Sequence, residues 1–214
     1  MHIISLGQSC FTKMWIDEIF GVNETHIFDW SITTPDIILD CLLTNFKNYY
    51  LINKTDSKYT HIESIFEEND KIKSYKNIYG NYFIHYTDKS ENELICMLKR
   101  RSERFMNLLK SNQEILFIYC NYSYVWSSTN NNWKIIDDKQ DEYYKILEKC
   151  VVFMNNINPN IKIFSINTKK YITNISNLYN ITIISNSIDP NEIKTLFRDK
   201  LLGLKENIIS NNFM

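Results

Sequence analysis

Apolar positions along this chain fall into two alternating patterns, short continuous runs and longer stretches that repeat every three to four residues. The continuous runs read as buried strands and the periodic stretches as amphipathic helices. Residues 2–6 (HIISL) form the first predicted strand, 10–20 a helix stopped by Gly21, and 27–36 (IFDWSITTPD) a loop. Thr34 offers an N-cap with Pro35 at the first helical position, so a second helix is expected over 35–46. The stretch 47–80 is irregular, with one short helix near 61–68. Residues 81–87 (NYFIHYT) are predicted as a strand and 91–111 as the clearest helix of the chain. Strand 114–120, a polar loop over 121–138 and helix 140–156 come next. Strand 161–167, a weak turn or helix near 170–178, strand 181–185 and helix 190–202 complete the pattern.

Strands separated by helices imply parallel pairing through βαβ crossovers. The expected fold is α/β, a three-layer sandwich with a mostly parallel central sheet and helices on both faces. Residues 1–214 read as one domain with an irregular insertion at about 47–80. Ligands of such sheets bind outside the carboxyl ends of the strands. That rule selects residues 7–10, 85–88, 120–126, 167–170 and 185–189.

Helix 91–111 carries an anomaly. Leu94, Leu98, Phe105, Leu108 and Leu109 form one stripe, and Arg101 lies in its centre. A guanidinium aimed at a core needs an anion or an escape along the surface. Arg101 is expected to pair with a carboxylate, Asp29 being the leading candidate, or to face the ligand site. Arg104 lies at the stripe's edge beside Met97, whereas Lys99 and Arg100 point outward.

Charge narrows the function. Lys and Arg number 24 and Asp and Glu 25, so no global field recruits nucleic acid or anionic lipid. The Ile, Asn, Lys and Tyr bias resembles translation of an AT-rich genome, which empties runs such as 128–132 (STNNN) and the N-x-S/T triplets at Asn23, Asn53, Asn121, Asn174 and Asn180 of meaning. No basic segment followed by an apolar run opens the chain, and no apolar stretch approaches ~20 residues. A cytoplasmic location without membrane attachment is expected. Five cysteines, at 10, 41, 96, 120 and 150, include no C-x-x-C pair, so neither a disulfide framework nor a zinc knuckle is indicated, and no metal or cofactor is expected.

The chemistry concentrates at "SLGQSC", residues 5–10. If the first strand ends at Leu6, Gly7 permits a tight turn, Ser9 can cap the helix and Cys10 enters its first turn. The dipole and unpaired N–H groups there favour thiolate, the nucleophilic species, and could receive an oxyanion. An ordinary corner with a gap-filling cysteine fits equally well. A phosphatase loop requires Arg six residues after Cys, where Ile16 stands. A dinucleotide fingerprint requires three glycines, and a serine hydrolase wants a late histidine, yet none follows His85. Of His2, His26, His61 and His85, the last lies nearest a sheet edge where sites form, making it the best base. The "FDW" block at 28–30 either buries Asp29 to orient an imidazole or pair with a cation, or is an aromatic core plug.

Together "SLGQSC", "IFDW", "FKNYY", "YFIHYT" and "LKRRSERFMNLLKSNQEILFIY" resemble, in order, the blocks of a domain-of-unknown-function family of bacteria and large DNA viruses that bears the name papain-like cysteine peptidase. The resemblance covers roughly residues 2–125. It implies Cys10 as nucleophile, His85 as base and Asp29 as part of the signature. The family pattern has an acidic residue after the histidine, where this chain has Tyr86, so Asp88 or Asn121 could supply the orienting group instead. A papain-like domain would join the cysteine helix to an antiparallel barrel, whereas the later half of this chain reads as α/β.

The leading expectation is a metal-free cysteine hydrolase or acyl transferase acting on a peptide or other acyl substrate. Cys10 attacks, His85 moves the proton, the backbone around Ser9 and Cys10 receives the oxyanion, and Asp29, Gly7, Gln8, Trp30, Arg101 and Arg104 support the site. A second reading is a Rossmann-like nucleotide or sugar-nucleotide domain, with the anion at the first helix N-terminus and Arg101 or Arg104 facing it. A third is a non-enzymatic viral interaction module, with Trp126 and Trp133 as contact residues.

Overall fold

The structure is a computed structural model that describes residues 1–7, 10–31, 33–57, 72–79, 83–86, 88–120, 123–127, 132–136, 139–167, 170–182 and 190–210. Its centre is a sheet of four parallel strands, β1 (His2–Ser5), β4 (Ile115–Cys120), β7 (Ile161–Asn167) and β8 (Leu178–Thr182), paired in that order. Register runs Ile4 to Phe117, Phe117 to Ile163 and Ile163 to Leu178, so β1 and β8 are the two edges. The remaining strands form two antiparallel hairpins. One joins β2 (Ile52–Ser57) to β3 (Ile72–Asn77), and the other joins β5 (Ser123–Ser127) to β6 (Asn132–Ile136).

Alternation along the strands divides the core in two. Ile115, Phe117, Tyr119, Ile161 and Ile163 face one layer, built from α2 (Pro35–Thr44), α3 (Glu91–Leu109) and α4 (Gln140–Ile157). Leu116, Ile118, Cys120, Phe164 and Ile166 face the other, built from α1 (Cys10–Phe20) and α5 (Pro190–Ile209). All six residues of β4 are buried, as a strand covered on both faces requires. Trp15 of α1 meets Phe197 of α5 at 4.6 Å, and Arg198 reaches Glu18 at 2.8 Å outside that contact. The expected α/β sandwich with helices on both faces is thus the observed architecture.

Local signals set the helix ends. Ser90 accepts from the Glu93 amide at 3.3 Å while the Glu93 carboxylate accepts from the Ser90 amide at 2.7 Å, a reciprocal capping box that starts α3. Pro35 opens α2 as expected, with Thr34 extended at the cap but making no side-chain cap bond. Asn45 and Phe46 end that helix in the left-handed region, at φ 51° and 63°. The Phe46 ring, buried against Phe28, Tyr49 and Phe105, holds this uncommon backbone in place.

Several expectations need correction. Residues Ile84–Tyr86 form a 3-10 turn rather than part of a strand. Phe83 and Tyr86 are both buried and lie three apart, which a 3-10 turn places on one side; a strand would have paired Phe83 with His85 on one face and buried the imidazole. The 121–138 loop contains the β5–β6 hairpin, and 47–80 contains a 3-10 turn at Lys47–Tyr50 and the β2–β3 hairpin. The short helix near 61–68 falls outside the described residues. The edge strand begins at Leu178 and not at 181, and α5 runs on to Ile209. No helix among the described residues is long and apolar enough to cross a membrane.

Candidate functional site

Gly7 leaves β1 with φ 92°, a conformation that L side chains rarely adopt. A Cβ there would lie 2.8 Å from the Thr33 Cβ and 3.4 Å from the Phe28 carbonyl oxygen. The glycine therefore satisfies two demands at once, a left-handed turn and close approach of a second segment. Its amide donates to Ser5 Oγ at 3.1 Å, and the Leu6 amide bonds the Ile118 carbonyl at 3.0 Å, fixing the corner to the sheet. Cys10 is the first residue of α1, directly beyond this corner. Gln8 and Ser9 lie outside the described residues, as does the Cys10 side chain.

The segment pressed on Gly7 is the "FDW" turn. Asp29 is 2 % exposed, and its Oδ2 accepts from the His26 amide at 2.7 Å. Its other oxygen, Oδ1, has no hydrogen-bond partner. Ser31 Oγ donates to the Phe28 carbonyl at 2.9 Å and meets Thr33 Oγ1 at 2.7 Å. Between these anchors, Trp30 sits at φ 64°.

The cation against Asp29 is Lys13, not Arg101. Lys13 is 2 % exposed, and its Nζ lies 3.9 Å from Asp29 Oδ2, 2.9 Å from the Glu24 carbonyl oxygen and in contact with Asp17. Arg101 instead donates to the Tyr86 hydroxyl at 2.6 Å and stacks over the same ring at 5.3 Å. Lys13 was legible by the argument applied to Arg101, since it falls three residues before Ile16 on the buried side of its helix. Arg104 donates to the Thr25 carbonyl and lies 3.2 Å from Glu24 Oε1, so its charge is spent on the chain leading into the turn.

Burial dominates the electrostatics. It raises Asp29 to about 7 in spite of the His26 amide and Lys13, which pull the other way. It lowers His26 to about 3, helped by Arg104 and Lys13. His26 is therefore neutral, and its 3.6 Å approach to Glu24 is a polar contact rather than an ion pair.

His85 is exposed, and its ring meets Trp30 edge-on, with centroids 5.2 Å apart and planes at 61°. Partial burial there lowers its pKa below the ordinary histidine value. Asp29 spends its bonded oxygen on the His26 amide, and neither of its oxygens is hydrogen-bonded to this imidazole. Asp88, the alternative orienting group, is exposed and lies 3.6 Å from Lys89. Asn121, the other alternative, is outside the described residues, as is His61. Trp126 and Trp133 occupy directly opposed positions across the β5–β6 hairpin.

One turn thus joins the candidates: it touches Gly7 through Phe28 and Thr33 and touches His85 through Trp30. Among the described residues no group of three or more His, Cys, Asp or Glu stands together as a metal-ligand set. No family model, curated protein or solved structure matches the chain.

Proposed function

We propose that the protein is a cysteine-dependent hydrolase or acyl transferase in which Cys10 and His85 form the reacting pair. The observation that carries this reading is the shared anchorage just described, with the corner before Cys10 and the His85 ring both resting on the Phe28–Thr33 turn. Three further features support it. Cys10 opens a helix, where the dipole and unpaired amides favour thiolate. His85 is held below its usual pKa and so is unprotonated near pH 7, the state a general base requires. The corner before Cys10 follows the carboxyl end of β1, the edge at which ligands of parallel sheets bind.

In this mechanism the His85 imidazole takes the Cys10 thiol proton as sulfur bonds to the substrate carbonyl carbon. The oxyanion so formed rests on amides at the start of α1. When the tetrahedral species collapses, the carbon–leaving-group bond breaks and the proton passes from His85 to the leaving amine or alcohol. Water or an acceptor amine then attacks the thioester with His85 as base, and the thiol is restored. The resemblance to the papain-like cysteine peptidase family makes a peptide or isopeptide the proposed substrate.

The test is alkylation by iodoacetamide near neutral pH in a Cys96→Ser background, which removes the exposed thiol. Stoichiometric labelling, abolished by Cys10→Ser and slowed by His85→Ala, is expected. Labelling at the rate of an ordinary thiol, indifferent to His85→Ala, overturns the reading.

A further inference from the structure

The buried ammonium of Lys13 is unexplained by packing alone. Removing a cation from water costs several kcal/mol, and an apolar side chain of the same length would serve stability as well or better. What the ammonium does that a methionine could not is join three separate pieces of chain: Asp17 on its own helix, the Glu24 carbonyl, and Asp29 in the turn. Arg104 grips the same incoming chain from α3, at the Thr25 carbonyl and Glu24. Residues 24–29 are thus clamped by two cations, one from each helical layer.

The clamp ends beside a strained residue. Trp30 follows Asp29 directly and is held at φ 64°, a backbone that a bulky side chain keeps only under constraint. On its C-terminal side the constraint is Ser31, bonded to the Phe28 carbonyl. On its N-terminal side it is the Asp29 carboxylate, whose bonded oxygen faces Lys13. With the second anchor gone, Trp30 can relax to negative φ and swing its ring away from His85. Lys13 also lies one helical turn after Cys10, so one stretch of α1 carries both the candidate nucleophile and the anchor of its partner's wall.

We propose that Lys13 is a positioning residue for the Cys10–His85 pair: by holding Asp29 it keeps Trp30 in place, and Trp30 fixes where the His85 imidazole stands. This rests on the functional reading above for its purpose but not for its geometry, and the two are tested separately.

The geometric readout is the histidine ring signals in the full-length protein, with His85 assigned by its loss in His85→Ala. An imidazole 5.2 Å from the Trp30 ring is displaced from its ordinary position by ring current. Lys13→Met is expected to remove at least about half of that displacement and to slow Cys10 alkylation about tenfold, as misplacement of a reacting group does. Lys13→Arg, which keeps a cation, restores both to within about twofold of wild type. Should Lys13→Met strand Asp29 and unfold, the double variant Lys13→Met/Asp29→Asn leaves no isolated buried charge and is expected to show the same loss. A His85 displacement unchanged in the folded variant overturns the positioning role. Wild-type alkylation that ignores His85→Ala overturns the thiol-enzyme reading, whatever the ring signal does.

Discussion

Trp30 meets His85 edge to face at 5.2 Å, and partial burial holds that imidazole below the ordinary histidine pKa. Replacing Trp30 with glycine removes the ring and suits the left-handed backbone at φ 64°. The His85 pKa is then expected to rise toward 6.5. A pH titration of the His85 ring protons measures it. The base would accordingly be more protonated at neutral pH, and Cys10 alkylation at pH 6.5 should fall more than at pH 8.

Gly7 tolerates no side chain. An alanine would carry its Cβ to 2.8 Å from Thr33 Cβ while keeping φ 92°. Gly7→Ala is expected to destabilise the protein by about 2 kcal/mol or more, combining backbone strain and overpacking. Urea unfolding reads the loss directly.

The two buried titrating groups give opposite pH slopes. His26 falls to about 3 in the fold, so its contribution to stability is complete above about 6.5 and drains as pH drops toward 3. Relative to wild type, His26→Gln should gain about 2 kcal/mol between pH 7.5 and pH 5. Asp29 is raised to about 7 from 3.8, so its contribution is complete below 3.8 and is lost as pH rises through about 7. Asp29→Asn should therefore gain on wild type from pH 5 to pH 8. Denaturant midpoints of the three proteins across this range separate the two slopes.

Tyr86 serves Arg101 as both hydroxyl acceptor and ring. Tyr86→Phe keeps the stacking at 5.3 Å and deletes the 2.6 Å hydrogen bond. A loss of about 1.5 kcal/mol is expected, in the range for hydrogen bonds to charged groups. Tyr86→Leu removes the ring as well and should cost more.

The layered fold was legible because its evidence is local. Continuous apolar runs at 115–120 and 161–167 and the periodic stripe of 91–109 each report their own burial. The hairpins were not legible because strands such as β2 (INKTDS) are mostly polar and lack the continuous apolar run that marks a buried strand. At the site, the crowding that demands Gly7 comes from Thr33, and no local pattern announces a neighbour across the chain. Arg101 stands on an apolar stripe that calls for an anion, yet its partner is an uncharged phenol. Lys13 obeys the same logic, but α1 is too short and too mixed in polarity for its buried side to stand out in the sequence.

β1 has a bearing on synthesis. Among the described residues the strand pairs with β4 alone, Ile4 opposite Phe117, so during synthesis β1 has no strand partner until β4 has followed it. At ordinary elongation rates that wait lasts about 5–25 s. A nascent chain stalled before β4 emerges would carry its Cys10 corner without the sheet that shapes it, and any thiol activity should appear only after that strand has been added.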